Sequence, residues 1–467
     1  MKVLALQLAA ALLCGAAAGA ARSEIAPYKI TVDPTSVIGP VKPVNGVGQP
    51  PMVGALKDWP MFHYLKEAGI PYSRLHDVGG RLGGGIFVDI PNLFPDFDAD
   101  EDDPANYNFA FTDSLMKALV ENGVEPFFRL GVSIENWVFY GKRLPALRTK
   151  PPKDFAKWAR ICEHVIRHYT EGWADGFKMK IRYWEIWNEP DSKPDPEKSM
   201  MWHAPFSEYC RLYDVAAKHL KAKFPHLKIG GYAACGFYHV TGKKTYGEDD
   251  ETRFPHYVKC FDEFLAYVKE HGSPLDFYSW HCYDSVASAV VHMKYVRDKL
   301  DAAGFTKTES SLNEWLTPAQ TPSLAQAVQI AAMMIACQNG SVDNAMVYDA
   351  RSTGGRYGPI FNPETGKPYA AYWSLKAFNE LYVRKNAVKC ACTDKDVYAA
   401  AADLEGDGAL LVANCGAEDV PLELEVGNRE IVSCRAIDRV FTYQDAPVRK
   451  FLPANSVYLF TFRVKER

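Results

Sequence analysis

Between residues 44 and 349, short apolar runs rich in β-forming residues alternate with longer stretches whose apolar residues recur at helical spacing. The runs are 44–48, 72–78, 125–130, 181–189, 228–233, 276–283, 308–315 and 342–349. That alternation predicts βα units around a parallel sheet, and eight such units predict a closed (β/α)8 TIM barrel, an α/β fold. The helical stretches agree: 111–122 is followed by Gly123, while 152–169 opens with proline and aligns Phe155, Trp158, Cys162, Val165 and Ile166. Those stripes read as core, not as a cofactor site. From about residue 385 the pattern becomes alternating strands separated by turn residues, at 397–404, 409–414, 422–426, 440–443 and 456–462, which predicts a C-terminal β-sandwich domain. The strand-like stretch 28–41 is expected to join it. The partition is therefore 42–383 for the barrel and 21–41 plus 384–467 for the sandwich.

Composition narrows the function classes. With 53 basic and 57 acidic residues, a net charge of −4 and no long basic run, the chain lacks the footprint of a nucleic-acid binder. The first residues place Lys2 ahead of an apolar stretch too short to span a bilayer, ending in Ala18-Gly19-Ala20, the pattern of a cleaved secretory signal over 1–20. Cys14 lacks the small residue before it that a lipid-anchoring signal uses, and no later segment is apolar for long enough to cross a membrane. A secreted or periplasmic protein is expected. Ten of the 11 cysteines follow the leader without a small-scaffold spacing, and Cys390-x-Cys392 has no second pair at zinc spacing. The acidic run 96–103 invites a calcium reading but has Glu101 where the loop needs glycine and Tyr107 where it needs glutamate. A solvated acidic loop is the simpler reading.

In a barrel of this kind, polar residues at the C-terminal ends of strands have the strongest claim to chemistry. Tyr183-Trp-Glu-Ile-Trp-Asn-Glu-Pro-Asp191 ends the fourth run in Asn188-Glu189-Pro190, and Ser310-Ser-Leu-Asn-Glu-Trp315 ends the seventh in Glu314. Cleaving a glycosidic bond needs one carboxylic acid to protonate the leaving oxygen and one carboxylate to attack or stabilise the oxocarbenium-like transition state. Glu189 and Glu314 supply such a pair.

These residues, with the H-x-Y of His281 and Tyr283 on the sixth strand, resemble the retaining glycoside hydrolases of clan A. The barrel with a trailing sandwich, together with 183–190, resembles glycoside hydrolase family 39, the family of β-xylosidases and α-L-iduronidases. The resemblance implies that Glu189 is the acid/base, that Glu314 is the nucleophile, and that Asn188 hydrogen-bonds the sugar 2-OH. It places Arg74 and Tyr283 where clan members donate to the nucleophile. Proximity of a second carboxylate is expected to raise the pKa of the acid.

Strand parity puts Glu185, Trp187 and Glu189 in the barrel interior, with Glu185 below the mouth as a paired structural residue. His76 and His281 are expected at the mouth, in contact with substrate hydroxyls or as scaffold. Arg129 suits an acidic sugar or a neighbouring carboxylate. Among the aromatic residues, Trp187 and Trp315 are expected to stack on sugar faces. The chemistry calls for no metal and no organic cofactor, and the partner is a carbohydrate. From a different class, a catalytically silent glycan-binding barrel is the alternative, which the presence of both glutamates disfavours. Within the clan, the rim loops decide between an exo-glycosidase, which is favoured, and an endo-acting glycanase.

Overall fold

In the computed structural model the described residues are 28–51, 61–80, 86–134, 149–244, 248–351, 356–392 and 395–465. The leader 1–20, Gly83–Gly85 in the acidic insertion, Trp137 and the segment 139–143 lie outside them.

Eight parallel strands close a barrel in sequential order: Gly46–Gly48, Tyr72–Arg74, Glu125–Leu130, Tyr183–Ile186, Lys228–Ala234, Phe277–Cys282, Glu309–Trp315 and Asn344–Val347. Each lies within one of the eight apolar runs or oversteps it by a single residue. The strands are buried on both faces because helices cover the outside, which is why they read as near-continuous apolar runs. Inside, the floor is an aromatic plug of Tyr72, Phe127, Tyr183 and Phe277 with Met346. The next inward position up each of strands two and four carries charge: Arg74 lies above Tyr72, and Glu185 above Tyr183. Arg74 meets Glu185 at 2.8 Å with both side chains fully buried. Apolar floor, charged layer and open mouth thus follow one another along the barrel axis.

The second unit is a nine-stranded sheet with a core of its own, built from Ile30, Val32, Val388, Leu410, Val412, Phe460 and neighbours. The strand Tyr28–Pro40 joins it, antiparallel to Asn386–Cys392 and parallel to Val420–Glu425. Residues of opposite parity, including Ala400, Ala402, Leu411 and Leu459, belong instead to the barrel's cluster. They pack on helices Leu324–Asn339 and Ala370–Tyr382. One face of the sheet therefore seals the barrel's flank and the other encloses the sandwich core. Asn386–Cys392, Arg429–Ile437 and the short Phe451–Leu452 are strands that the alternation did not indicate. In Arg429–Ile437 a register shift between Ile431 and Ser433 breaks the period of two.

The acidic run pairs with the helix Phe155–Thr170 and the residues just before it. Lys153 reaches Asp98 at 2.7 Å and Arg160 reaches Glu101 at 2.7 Å. Although its site is desolvated, Glu101 is held down at about 2 by hydrogen bonds that include those from Arg160 and Lys157. Among the described residues, no helix is long and apolar enough to cross a membrane.

Candidate active site

The fourth barrel strand stops at Ile186, and the chain then turns sharply. Trp187 and Glu189 both take left-handed backbone angles, φ 75° and 47°, a conformation that costs a non-glycine residue on the order of 1–3 kcal/mol. Backbone hydrogen bonds hold the turn: Trp187 N–H donates to Leu130 O at 2.8 Å, and Glu189 N–H to Ala233 O at 3.1 Å. Gly131 lets the chain pass close to it, because a Cβ there would crowd the Trp187 Cα at 3.1 Å. The turn ends the strand's alternation. Asn188 and Glu189 both face the barrel mouth, whereas Trp187 is thrown outward.

Strand seven uses a different device. Its register against strand six shifts between Leu312 and Glu314, so that Leu312 lies opposite Trp280 and Glu314 opposite His281. The extra residue, Asn313, makes this a bulge, which re-aims the strand end. Both Asn313 and Glu314 reach partners in the interior, Glu185 at 2.5 Å and Arg74 at 2.8 Å.

Arg74 is the hub. It donates to Glu185, to Glu314 and, at 2.6 Å, to Asn188 Oδ1. Burial opposes its charge, but Glu185 and Glu314 outweigh that and hold it protonated. Tyr283 O–H donates to Glu314 Oε1 at 2.6 Å, and burial keeps the phenol protonated and able to do so. Glu314 therefore accepts a hydrogen bond on each of its oxygens. Glu189 is less tied. Its side chain is 17% exposed, and His281 Nδ1 lies 2.8 Å away. Desolvation raises its pKa, with Arg74 pulling the other way. The cause is thus burial and not the repulsion between carboxylates expected from the sequence. Burial also lowers His281 to about 4, so the ring is neutral near pH 7. Oxygens of Glu189 and Glu314 and a ring nitrogen of His281 all lie within 4.8 Å of one another.

The remaining expected residues divide. His76 is buried at the mouth beside Asp77 and kept neutral by desolvation. Arg129 is fully buried against Asp89 at 2.7 Å, so it serves a neighbouring carboxylate. Trp187 and Trp315 do not offer a face for stacking. Both are buried, and Trp187 packs edge-on against Trp202 with its N–H on Met201 O. Sequence reasoning missed Asp191, fully buried, whose two oxygens accept from Cys235 N–H at 3.3 Å. Burial, and next the charge of Glu189, push it up to about 8. It also missed Gln49, which donates to the hydroxyl of Tyr348. Tyr348 in turn reaches Asp77 at 3.2 Å. Position two residues beyond Glu189 was the available signal for Asp191.

A family model described as Glycosyl hydrolases family 39 matches residues 62–310, more than half of the chain; the match takes in Glu189 and ends before Glu314. The chain belongs to glycosyl hydrolase family 39. Over 227 residues this family 39 chain is 28% identical to a beta-xylosidase of Geobacillus stearothermophilus, covering 47% of this chain and 39% of that one. Over 225 residues it is 27% identical to a beta-xylosidase of Caldicellulosiruptor saccharolyticus, covering 46% and 37%. The matched stretch thus spans about two-fifths of these relatives' length. Solved structures resemble it along almost the whole chain. A glucosidase from Croceicoccus marinus aligns with a TM-score of 0.72 at 21% identity, covering 94% of this chain and 100% of that one. A GH39 enzyme from Xanthomonas axonopodis pv. citri aligns at 0.65 and 19%, covering 97% and 100%. At these identities the likeness shows the barrel-and-sheet fold.

Proposed function

We propose that the protein is a retaining glycoside hydrolase that acts by double displacement, with Glu314 as nucleophile and Glu189 as acid and then base. The observation that carries this reading is the approach of Glu189 and Glu314 oxygens to within 4.8 Å of each other at the barrel mouth. Retaining enzymes hold their carboxyl groups about 5–5.5 Å apart, whereas inverting enzymes leave room for a water between them. The environments divide the roles. Glu314, gripped by Arg74 and Tyr283, is held in place to attack the anomeric carbon. Glu189, desolvated beside a neutral imidazole, is equipped to hold a proton for the leaving oxygen. After the glycosyl-enzyme forms, Glu189 has lost that proton and takes one from the water that attacks the ester.

Asn188 supports the same reading. Arg74 fixes its Oδ1, while its buried Nδ2 has no hydrogen-bond partner among the described residues. A buried donor left without a partner costs about 1–3 kcal/mol, and a sugar hydroxyl at that position satisfies it. The names of the relatives make a β-xyloside the first substrate to try, with release of single sugars from chain ends. Export through the 1–20 leader belongs to the same proposal and places the enzyme among extracellular glycans.

The test is a panel of aryl glycosides (β-xyloside, β-glucoside, β-galactoside, α-L-arabinoside and α-L-iduronide) with wild type beside Glu314→Gln and Glu189→Ala. The proposal expects release from one sugar, its abolition in Glu314→Gln, and activity in Glu189→Ala confined to substrates with good leaving groups. Full activity in Glu314→Gln would end it.

A further inference from the structure

Trp187 and Trp315, the rings expected to carry a sugar, are buried, so a sugar at the mouth must pack on another surface. The cleft in front of Glu189 supplies one. Its volume is about 350 Å³, within the range of small-ligand sites, and Glu189 lines it while Glu314 is not among its described lining residues. The cleft therefore lies on the side of the carboxyl that protonates the departing oxygen. What fills it is the part of the substrate that leaves.

Most of the aromatic wall of this cleft is already engaged. Tyr238, Phe254 and Tyr257 are buried together with Cys235, and Tyr283 directs its hydroxyl to Glu314. Tyr357 differs. It comes from the connection after the eighth strand, across the barrel from the fourth strand, which Glu189 follows. Its side chain is 42% exposed although Arg356 lies over the ring at 5.4 Å. Two tyrosines of the mouth fix its plane. The Tyr283 and Tyr348 rings stand at 82° and 83° to it, with centroids 5.8 and 5.6 Å away, and at 77° to each other. Those two are themselves anchored, Tyr283 on Glu314 and Tyr348 on Asp77. An exposed ring on a loop is ordinary, but one whose plane is set by anchored neighbours is preorganised for a ligand.

We infer that Tyr357 is the platform on which the released residue, a sugar ring, packs its C–H face, and that it sets a preference for such a ring on the leaving-group side. A pyranose has an apolar C–H face and a rim of hydroxyls, and a tyrosine with a guanidinium beside it matches both. Binding energy realised there, away from the reacting bond, serves the transition state, so its loss lowers kcat/KM and not affinity alone. This assignment rests on the proposed hydrolase reading, which tells the leaving-group side from the other.

The experiment takes the sugar that wild type releases from the aryl panel and compares two substrates that carry it in the same linkage. One is a disaccharide, which releases a sugar ring, and the other is the methyl glycoside, which releases methanol. The readout is the ratio of their kcat/KM values within each protein, which cancels any loss that reaches the reacting sugar through Tyr283. In Tyr357→Ala the ratio of disaccharide to methyl glycoside should fall about tenfold, whereas Tyr357→Phe, which keeps the ring, should retain it. An unchanged ratio in Tyr357→Ala, even where both rates fall, overturns the inference and leaves the hydrolase reading intact. An equal fall in Tyr357→Phe also overturns it, by tracing the effect to the hydroxyl. If wild type cleaves neither substrate and no aryl glycoside, the hydrolase reading fails. Calorimetric titration of xylobiose and methyl β-xyloside then decides: tighter binding of xylobiose that is lost in Tyr357→Ala sustains the platform, and equal binding removes it.

Discussion

Replacing Asp191 with asparagine removes a carboxyl that the fold holds at a cost. Asp191 is fully buried, and burial together with the nearby charge of Glu189 carries it from an ordinary value of 3.8 to about 8. Because the folded-state value lies above the unfolded one, the folded chain holds this proton more tightly. The stabilisation that follows is fully present below about pH 4 and is lost as pH rises through about 8. At 1.36 kcal/mol per pKa step, the span from 3.8 to about 8 amounts to on the order of 5 kcal/mol. Asparagine keeps the shape and an oxygen to accept from Cys235 N–H but cannot titrate. Thermal melts of both proteins at intervals from pH 4 to 9 isolate the effect, since every other titrating group is common to the two. The variant should gain on wild type as pH rises, with the difference in Tm growing by roughly 5–10 °C across the range. Parallel curves would refute the reasoning and show that Asp191 is ionised at neutral pH.

Three further outcomes follow from the same geometry. Tyr283→Phe deletes one charge-assisted hydrogen bond to Glu314, worth about 1.5–3 kcal/mol, so kcat/KM on the cleaved aryl glycoside should fall at least tenfold while the melt barely moves. An unchanged kcat/KM would remove Tyr283 from the nucleophile's support. Arg74→Met leaves Glu185 buried without its counter-charge and should destabilise by about 3–5 kcal/mol in denaturant unfolding, partly recovered when Glu185→Gln is added. No recovery in the double variant would show that the loss is one of packing. Because Asp98 and Glu101 already pair with Lys153 and Arg160, adding calcium or a chelator should shift Tm by less than about 1 °C. A rise of several degrees with calcium would reveal a cation site in that loop.

The barrel was legible because each strand is buried on both faces and so leaves an unbroken apolar run. The meeting of Glu189 and Glu314 was legible because strand ends in such a barrel face one opening. What alternation could not supply is where alternation stops. Left-handed backbone at Trp187 and Glu189 turned an expected stacking ring outward, and the extra residue at Asn313 set Glu314 beside His281. Both are departures from period two that depend on contacts with neighbouring strands, to Leu130 and Ala233 for the first and to strand six for the second. The same blindness hid Arg429–Ile437, whose register shift scrambles its pattern. Asp191 escaped for a different reason: its importance lies in how deeply it is buried beside Glu189, and depth is not written in spacing.

The strand Tyr28–Pro40 is made before the barrel, yet its antiparallel neighbour, Asn386–Cys392, is made after it. Pairing them closes a loop that contains the whole barrel, a highly non-local contact, and such contacts form late because loop closure must precede any gain. Until then the strand is an open edge with Ile30 and Val32 on it, the kind of edge that recruits strands from other chains. The order of synthesis therefore sets an interval of risk. A barrel that folds promptly shortens it by bringing residues 41 and 385 together, where Val41 N–H meets Lys385 O, before the sandwich is finished. Variants that slow the barrel should then aggregate through a strand that they do not touch.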